Sequence, residues 1–205
     1  MDNNFFRLKL SNYFITDSHE FLNRFDILKE NAVNKQLSLG KLMIDLLFSL
    51  ECSIKALIFI ESDCEIEKIY KKIHSHKIDK LIAMLENKSQ KKIKSLFEDE
   101  DFKDWSVNIR YCLEAEAYLL TTQGKNHEDE NKSKNFNHGI NDLMKFNSID
   151  KINRIKSQIK EWINYVIVIY NKNEDVKRYK LLDINQKIVQ VDLEKEKLKK
   201  LTNNN

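Results

Sequence analysis

Three groups of side chains in this sequence could contribute to a binding or catalytic site. Glu51 and Lys55 stand at i, i+4 in the pattern E-x-x-x-K-A-L-I, a spacing that brings two side chains together on a helix. His76 opens the segment H-K-I-D-K-L-I, and an imidazole can give or take a proton near neutral pH. Arg110 is followed directly by Tyr111, and a guanidinium can stabilise a negative charge. These residue types indicate proton transfer and anion stabilisation.

Each group also has a purely structural interpretation. On a solvent-exposed helix the Glu51–Lys55 pair would add only about 0.3–0.5 kcal/mol of stability. Arg110 could pair with an acid on its own helix, such as Glu114 one turn later. His76 could cap or pack near the start of a helix. At the level of sequence both interpretations stay open.

The composition predicts an all-α fold. The chain has 205 residues, no proline, only three glycines and 33% charged residues. Sheet proteins need many tight turns, which use Gly, Pro, Asn and Asp, so long helices joined by polar loops are the simpler solution. The formal net charge of +3 is too small to indicate a nucleic-acid-binding protein by itself.

The central predicted helix is Leu37–Glu61. Its apolar residues recur in steps of three and four, which places them on one face of a helix. The face is wide, so this helix should contact several neighbours. Three charged residues, Asp45, Glu51 and Lys55, exclude a membrane span, which needs about 20 apolar residues with few charges.

Five further helices, two of them short, are predicted around the central one. A capping-box spacing of Asp17 and Glu20 predicts a helix from Asp17 to Ala32. Ser75 can cap a short helix after His76, and a second short helix follows it. A longer helix should begin near Phe102 and continue to Leu120. Ser148 caps the last one, which reaches Asn171.

This order predicts an up-and-down bundle of four or five helices over residues 1–171. Residues 121–147 have no apolar period and are predicted to be a flexible insertion. Residues 172–205 form a C-terminal extension or tail, within which the stretch KIVQVDL could be a short strand.

No metal or cofactor is expected. The potential metal ligands of the insertion lack helix-fixed spacing; they are His127, Glu128, Asp129, Glu130 and His138. Glycine loops that cradle phosphates are absent. The three cysteines are odd in number and share no short metal-binding spacing, which favours free thiols in a cytoplasmic protein.

The order Glu51–Lys55, His76, Arg110–Tyr111 within a helical frame resembles the HEPN family of prokaryotic helical bundles. The resemblance covers roughly residues 21–120 and implies binding of nucleotides or RNA. It also implies a homodimer, because the cleft of that family forms between two copies. Catalytic members carry a histidine four to six residues after the arginine and cleave RNA without a metal.

Here the positions four to six residues after Arg110 are Glu114, Ala115 and Glu116, with Ala117 next, and none is histidine. The sequence therefore resembles the Arg-Tyr branch often encoded beside a small nucleotidyltransferase. We expect a noncatalytic nucleotide- or RNA-binding subunit of a toxin–antitoxin or anti-phage defence system. One alternative is a ribonuclease with a rearranged site, in which Arg110 supplies the charge and a glutamate or His76 replaces the missing histidine. The other is an adaptor that docks a partner enzyme.

Overall fold

The computed structural model describes residues 3–32, 36–98, 100, 102, 105 and 148–178 of the chain. All regular structure in these ranges is helical, which confirms the all-α prediction for this part. The helices are α1 (Asn3–Ala32), α2 (Gln36–Glu61), α3 (Ile66–Lys72), α4 (Ile78–Ile82), α5 (Asn87–Leu96) and α6 (Ile149–Lys172). Residues 174–178 are helical again after a break at Asn173.

Helix α2 is the centre of the molecule, as predicted, and it begins within one residue of the expected position. It packs against α1, α3, α4 and α6. Between Leu42 and Phe59 every residue is buried except Ile44 and Phe48, which are partly buried. Because the helix is covered on all sides, any charged residue in this stretch must find its partner inside the protein.

Helix α1 is longer than predicted. It runs without interruption from Asn3, so the expected start at Asp17 is wrong. The buried residues of α1 follow alternating steps of three and four, and two of them are serines: Leu8, Ser11, Ile15, Ser18, Leu22 and Phe25. The Ser18 hydroxyl donates to the Ser49 carbonyl at 2.7 Å, and the Ser49 hydroxyl donates to the Ser18 carbonyl at 2.8 Å. These small residues let α1 and α2 approach closely.

Helix α6 begins as predicted. Ser148 is its N-cap and accepts a hydrogen bond from the Lys151 amide. Six of the residues predicted to face the core are buried: Ile152, Ile155, Ile159, Trp162, Ile163 and Val166. After Asn173 the chain stays on the bundle, because Val176 is buried and Asp175 accepts a hydrogen bond from the Asn4 side chain.

The three short helices α3, α4 and α5 follow α2 along the chain. Ser75 does not cap α4 as predicted, since Lys77 occupies that position without a side-chain cap. The Ser75 hydroxyl instead accepts the Lys77 amide at 3.2 Å, which fixes the turn that carries His76. Beyond α5, the rings of Phe97, Phe102 and Trp105 pack edge to face with centroids 5.1–5.5 Å apart.

Among the described residues, no helix is both long enough and apolar enough to cross a membrane. The predicted helix through Arg110 to Leu120, the insertion 121–147 and most of the 172–205 extension lie outside the described residues.

Candidate functional site

Glu51 and Lys55 form a buried ion pair in the middle of α2. Lys55 Nζ lies 2.6 Å from Glu51 Oε1, and the two side chains are 10% and 7% exposed. The surface interpretation of this pair is therefore wrong. Lysine and glutamate are almost never buried at this level without a partner, because removing either charge from water is costly.

His76 completes this group from outside α2. Its Nδ1 lies 3.1 Å from Glu51 Oε1 and 3.2 Å from Glu51 Oε2. The side chain is 58% exposed, whereas the carboxylate that it contacts is buried. The turn between α3 and α4 holds His76 there, since Ile73 and Ile78 on either side of that turn are both buried.

The contact with Glu51 determines which imidazole nitrogen can act on a ligand. An ionised carboxylate only accepts hydrogen bonds, so Nδ1 carries the proton and donates a hydrogen bond to Glu51. Within the described part of the chain, Nε2 has no hydrogen-bond partner, and it lies on the opposite edge of the ring. A carboxylate that fixes the tautomer of a histidine in this way is a common feature of catalytic and metal-binding sites.

The three residues thus have different positions relative to solvent. Lys55 holds Glu51, Glu51 holds His76, and His76 is the only one of the three that a large ligand can reach. Cys52, the next residue after Glu51, is also buried. Burial, together with the charges of Glu51 and Asp17, raises the pKa of the Cys52 thiol to about 12, so it stays protonated.

Arg110 and Tyr111, the remaining two predicted site residues, lie outside the described residues. The beginning of their predicted helix is partly described, since Phe102 and Trp105 are both buried in the core. The structure therefore brings together three of the five predicted residues, Glu51, Lys55 and His76.

A second buried charge in α2 is Asp45, which was predicted only as a charge that argues against a membrane span and not as part of a site. Asp45 is 1% exposed, and its Oδ1 accepts hydrogen bonds from Arg24 of α1, including one of 2.9 Å from Nε. The guanidinium lies over the ring of Phe21, which itself stacks on Phe48. The hydrogen bonds from Arg24 satisfy one oxygen, whereas Asp45 Oδ2 has no hydrogen-bond partner among the residues that the structure describes.

A third polar group closes the end of α2. Glu61 Oε2 accepts the Glu86 amide at 2.8 Å, at the N-terminus of α5, and Oε1 accepts the Ser89 hydroxyl. Ser89 also lies 3.0 Å from the hydroxyl of Tyr165 on α6. Burial raises the pKa of Glu61, an effect that these hydrogen bonds oppose. This group ties three helices together.

A pocket of about 390 Å³ lies between α4, α5 and the segment after α5. Its walls mix acidic, basic and apolar side chains, among them Asp79, Lys94, Glu98 and Phe102. Of the predicted site residues that the structure describes, Glu51, Lys55 and His76, none lines it. Nor does any group of three or more potential metal ligands occur among the described residues.

The described residues define an all-helical protein with a carboxylate-bound histidine at its surface. No protein-family model matches the sequence, and neither the curated proteins nor the solved structures that were searched include a significant match.

Proposed function

We propose that this protein is a HEPN-like subunit that binds the phosphate groups of a nucleotide or RNA. In this proposal it acts in a prokaryotic toxin–antitoxin or anti-phage defence system. The observation that carries the proposal is the shared carboxylate of Glu51, which holds both Lys55 and His76. Residues that the sequence separates by up to 25 positions meet in one group, and this convergence supports the proposal.

The group has the chemistry that anion binding needs. Glu51 is acceptor-only, and with Lys55 already bound to it the pair is formally neutral. A proton on His76 Nε2 would make the group cationic at its exposed edge and supply a charge-assisted hydrogen bond to a phosphate oxygen. The ion pair orients the imidazole without contacting the ligand.

Arg110 and Tyr111 would supply the rest of the site. In the proposed arrangement Arg110 pairs with a second phosphate oxygen, which a planar guanidinium does well. A second copy of the chain would complete the cleft, so the binding species is a homodimer, with a nucleotidyltransferase or another defence effector as a further partner.

Binding of a labelled single-stranded RNA tests the proposal directly. His76→Ala removes one charge-assisted hydrogen bond and should weaken binding about 10- to 100-fold. The plot of log affinity against log salt should become shallower by about 0.7, the contribution of one phosphate contact on a single strand. His19→Ala is the matched control, because His19 is an exposed histidine on α1 that forms no hydrogen bond with Glu51 in the described part of the chain. Equal affinity of wild type and His76→Ala would refute the proposal.

RNA cleavage is the second candidate function, and the tautomer of His76 favours it. Because the Nδ1–H group donates a hydrogen bond to Glu51, Nε2 is unprotonated and can accept the proton of a ribose 2′-hydroxyl. The 2′-oxygen would then attack the adjacent phosphorus while the bond from phosphorus to the 5′-oxygen breaks. The products are a 2′,3′-cyclic phosphate and a 5′-hydroxyl, and the leaving oxygen takes up a proton.

A comparison of two substrates distinguishes cleavage from binding alone. A ribonuclease of this kind should cleave RNA in the presence of EDTA and leave the same sequence with 2′-deoxyribose intact. Arg110→Ala should abolish cleavage, whereas Arg178→Ala, at an exposed arginine of the C-terminal segment, should not. Intact RNA after prolonged incubation with wild-type protein would exclude this candidate and leave the binding proposal in place.

A further inference from the structure

The surface next to His76 carries an exposed aromatic pair. Tyr70 of α3 is 51% exposed, and its ring meets that of His74 edge to face, with centroids 4.7 Å apart. The inward face of α3 is formed by Ile69 and Ile73, so Tyr70 does not belong to the core. An exposed tyrosine held by a neighbouring ring offers a fixed flat surface to a ligand.

This pair lies beside the candidate site. His74 precedes His76 by two residues, and consecutive Cα atoms are about 3.8 Å apart, so their Cα atoms lie within about 7.6 Å of each other. The two histidines face different partners, Tyr70 for His74 and Glu51 for His76. A nucleic-acid strand bound at His76 could therefore extend to the Tyr70–His74 pair.

The charge of the surrounding segment is positive. Residues 66–80 contain five lysines, two histidines and two acids, a formal excess of three positive charges with neutral histidines. Lys68 is engaged with Glu65 at 3.0 Å. The other lysines are exposed and form no salt bridge within the described part of the chain: Lys71, Lys72, Lys77 and Lys80. Exposed lysines on the same segment as an exposed aromatic ring suit a strand that carries both phosphates and bases.

We infer that Tyr70, braced by His74, is a stacking platform for a base of single-stranded nucleic acid whose phosphates lie along the lysines of residues 71–80 and reach His76. The inference rests on the proposed function and specifies its ligand, because a free phosphate has no base to stack on the ring and the bases inside a duplex are already stacked on each other. Stacking on one aromatic side chain is tolerant of sequence, so the platform selects for unpaired bases rather than for a particular base.

The test measures the affinity of the full-length protein for three labelled probes: a single-stranded RNA, the same sequence as DNA, and an abasic strand of equal length. Tyr70→Ala should weaken binding of the two base-containing strands about 5- to 150-fold, as loss of one stacked base does. Binding of the abasic strand should not change. Tyr70→Phe should retain the wild-type affinity, because it keeps the ring. Tyr13→Ala is the matched control, since Tyr13 is 55% exposed on α1.

The salt dependence separates stacking from phosphate contacts. Tyr70→Ala should leave the slope of log affinity against log salt unchanged, while Lys71→Ala should reduce it by about 0.7 if one phosphate contact is lost. Equal binding by Tyr70→Ala and wild type, with weaker binding by His76→Ala, would overturn the platform and leave the proposed function standing. An equal loss on the abasic strand would also overturn the platform. Absence of binding by the wild type would overturn both.

Discussion

Replacement of Lys55 by methionine should destabilise the protein strongly. Methionine keeps the apolar stem of the side chain and removes the ammonium, so the Glu51 carboxylate, 7% exposed, loses its 2.6 Å partner. Breaking a buried pair by removing one member costs about 3–5 kcal/mol, because an uncompensated charge stays buried. Since domains are stable by only about 5–15 kcal/mol, this is a large fraction of the total.

The size of the effect follows from the remaining contact with His76. Its Nδ1 stays within 3.1–3.2 Å of Glu51 and still donates one hydrogen bond, so the loss should lie at the lower end of the range. In the Lys55→Met/His76→Ala variant that contact is gone, and the loss should be larger. In Glu51→Leu/Lys55→Met both charges are gone, and most of the stability should return, because an apolar pair of similar volume suits a buried position.

Urea unfolding followed by circular dichroism measures these changes. With a slope of about 2 kcal/mol per molar urea, a loss of about 3 kcal/mol moves the midpoint down by about 1.5 M. Lys68→Met is the matched control. Lys68 pairs with Glu65 at 3.0 Å, but both side chains are about two-thirds exposed, and such a pair is worth at most about 1 kcal/mol. If Lys55→Met and Lys68→Met shifted the midpoint equally, the buried ion pair would be refuted.

Two further predictions concern titration and thiol chemistry. Burial raises the pKa of Glu61, so its contribution to stability is complete below the unfolded value of about 4.5 and is lost as pH rises through the folded pKa. Glu61→Gln should remove this part of the decline in urea midpoints between pH 4 and pH 7; an unchanged profile would contradict it. In a Cys112→Ser background, iodoacetamide at pH 8 should alkylate exposed Cys64 and spare Cys52, whose pKa burial raises to about 12. Equal labelling of both by mass spectrometry would show that Cys52 is accessible.

The two helices with the clearest apolar period were predicted well. In α6 the predicted buried positions from Ile152 to Val166 are all in the core, and Ser148 caps the helix as its type and position indicate. In α2 the boundary was off by one residue. Both sequences bury large aliphatic or aromatic side chains at successive steps of three and four, a signal that periodicity detects directly.

The first half of α1 was missed because serines interrupt its apolar stripe. Ser11 and Ser18 occupy two of the buried positions, where a hydrophobic pattern requires Leu or Ile. Their polar groups are satisfied inside the protein, Ser11 by the Arg7 carbonyl and Ser18 by Ser49. Asp17 lies on the exposed side of the same turn, and its spacing from Glu20 was therefore interpreted as an N-terminal capping box. A spacing of three and four that includes small polar residues would have indicated the longer helix.

The buried state of the Glu51–Lys55 pair could not be derived from its spacing, since i, i+4 pairs look identical on a surface and in a core. The neighbours carried the missing signal. Ile54, Leu57 and Ile58 surround the pair, and α2 has no polar face on which an exposed pair could lie. What remained beyond sequence was the third partner, because nothing in the turn after α3 indicates that its histidine reaches α2.

The three charges of α2 follow one rule that connects the fold to the proposed site. Asp45, Glu51 and Lys55 are all buried, so each needs a partner from within the protein. Asp45 takes Arg24 from α1, a contact that fixes the packing of two long helices. Glu51 already has Lys55 and, unlike Asp45, engages a further residue, His76, whose other edge faces solvent. The second contact turns a buried ion pair into the support of an exposed imidazole. Of the three residues Glu51, Lys55 and His76, His76 is therefore the one whose replacement should change binding most and stability least.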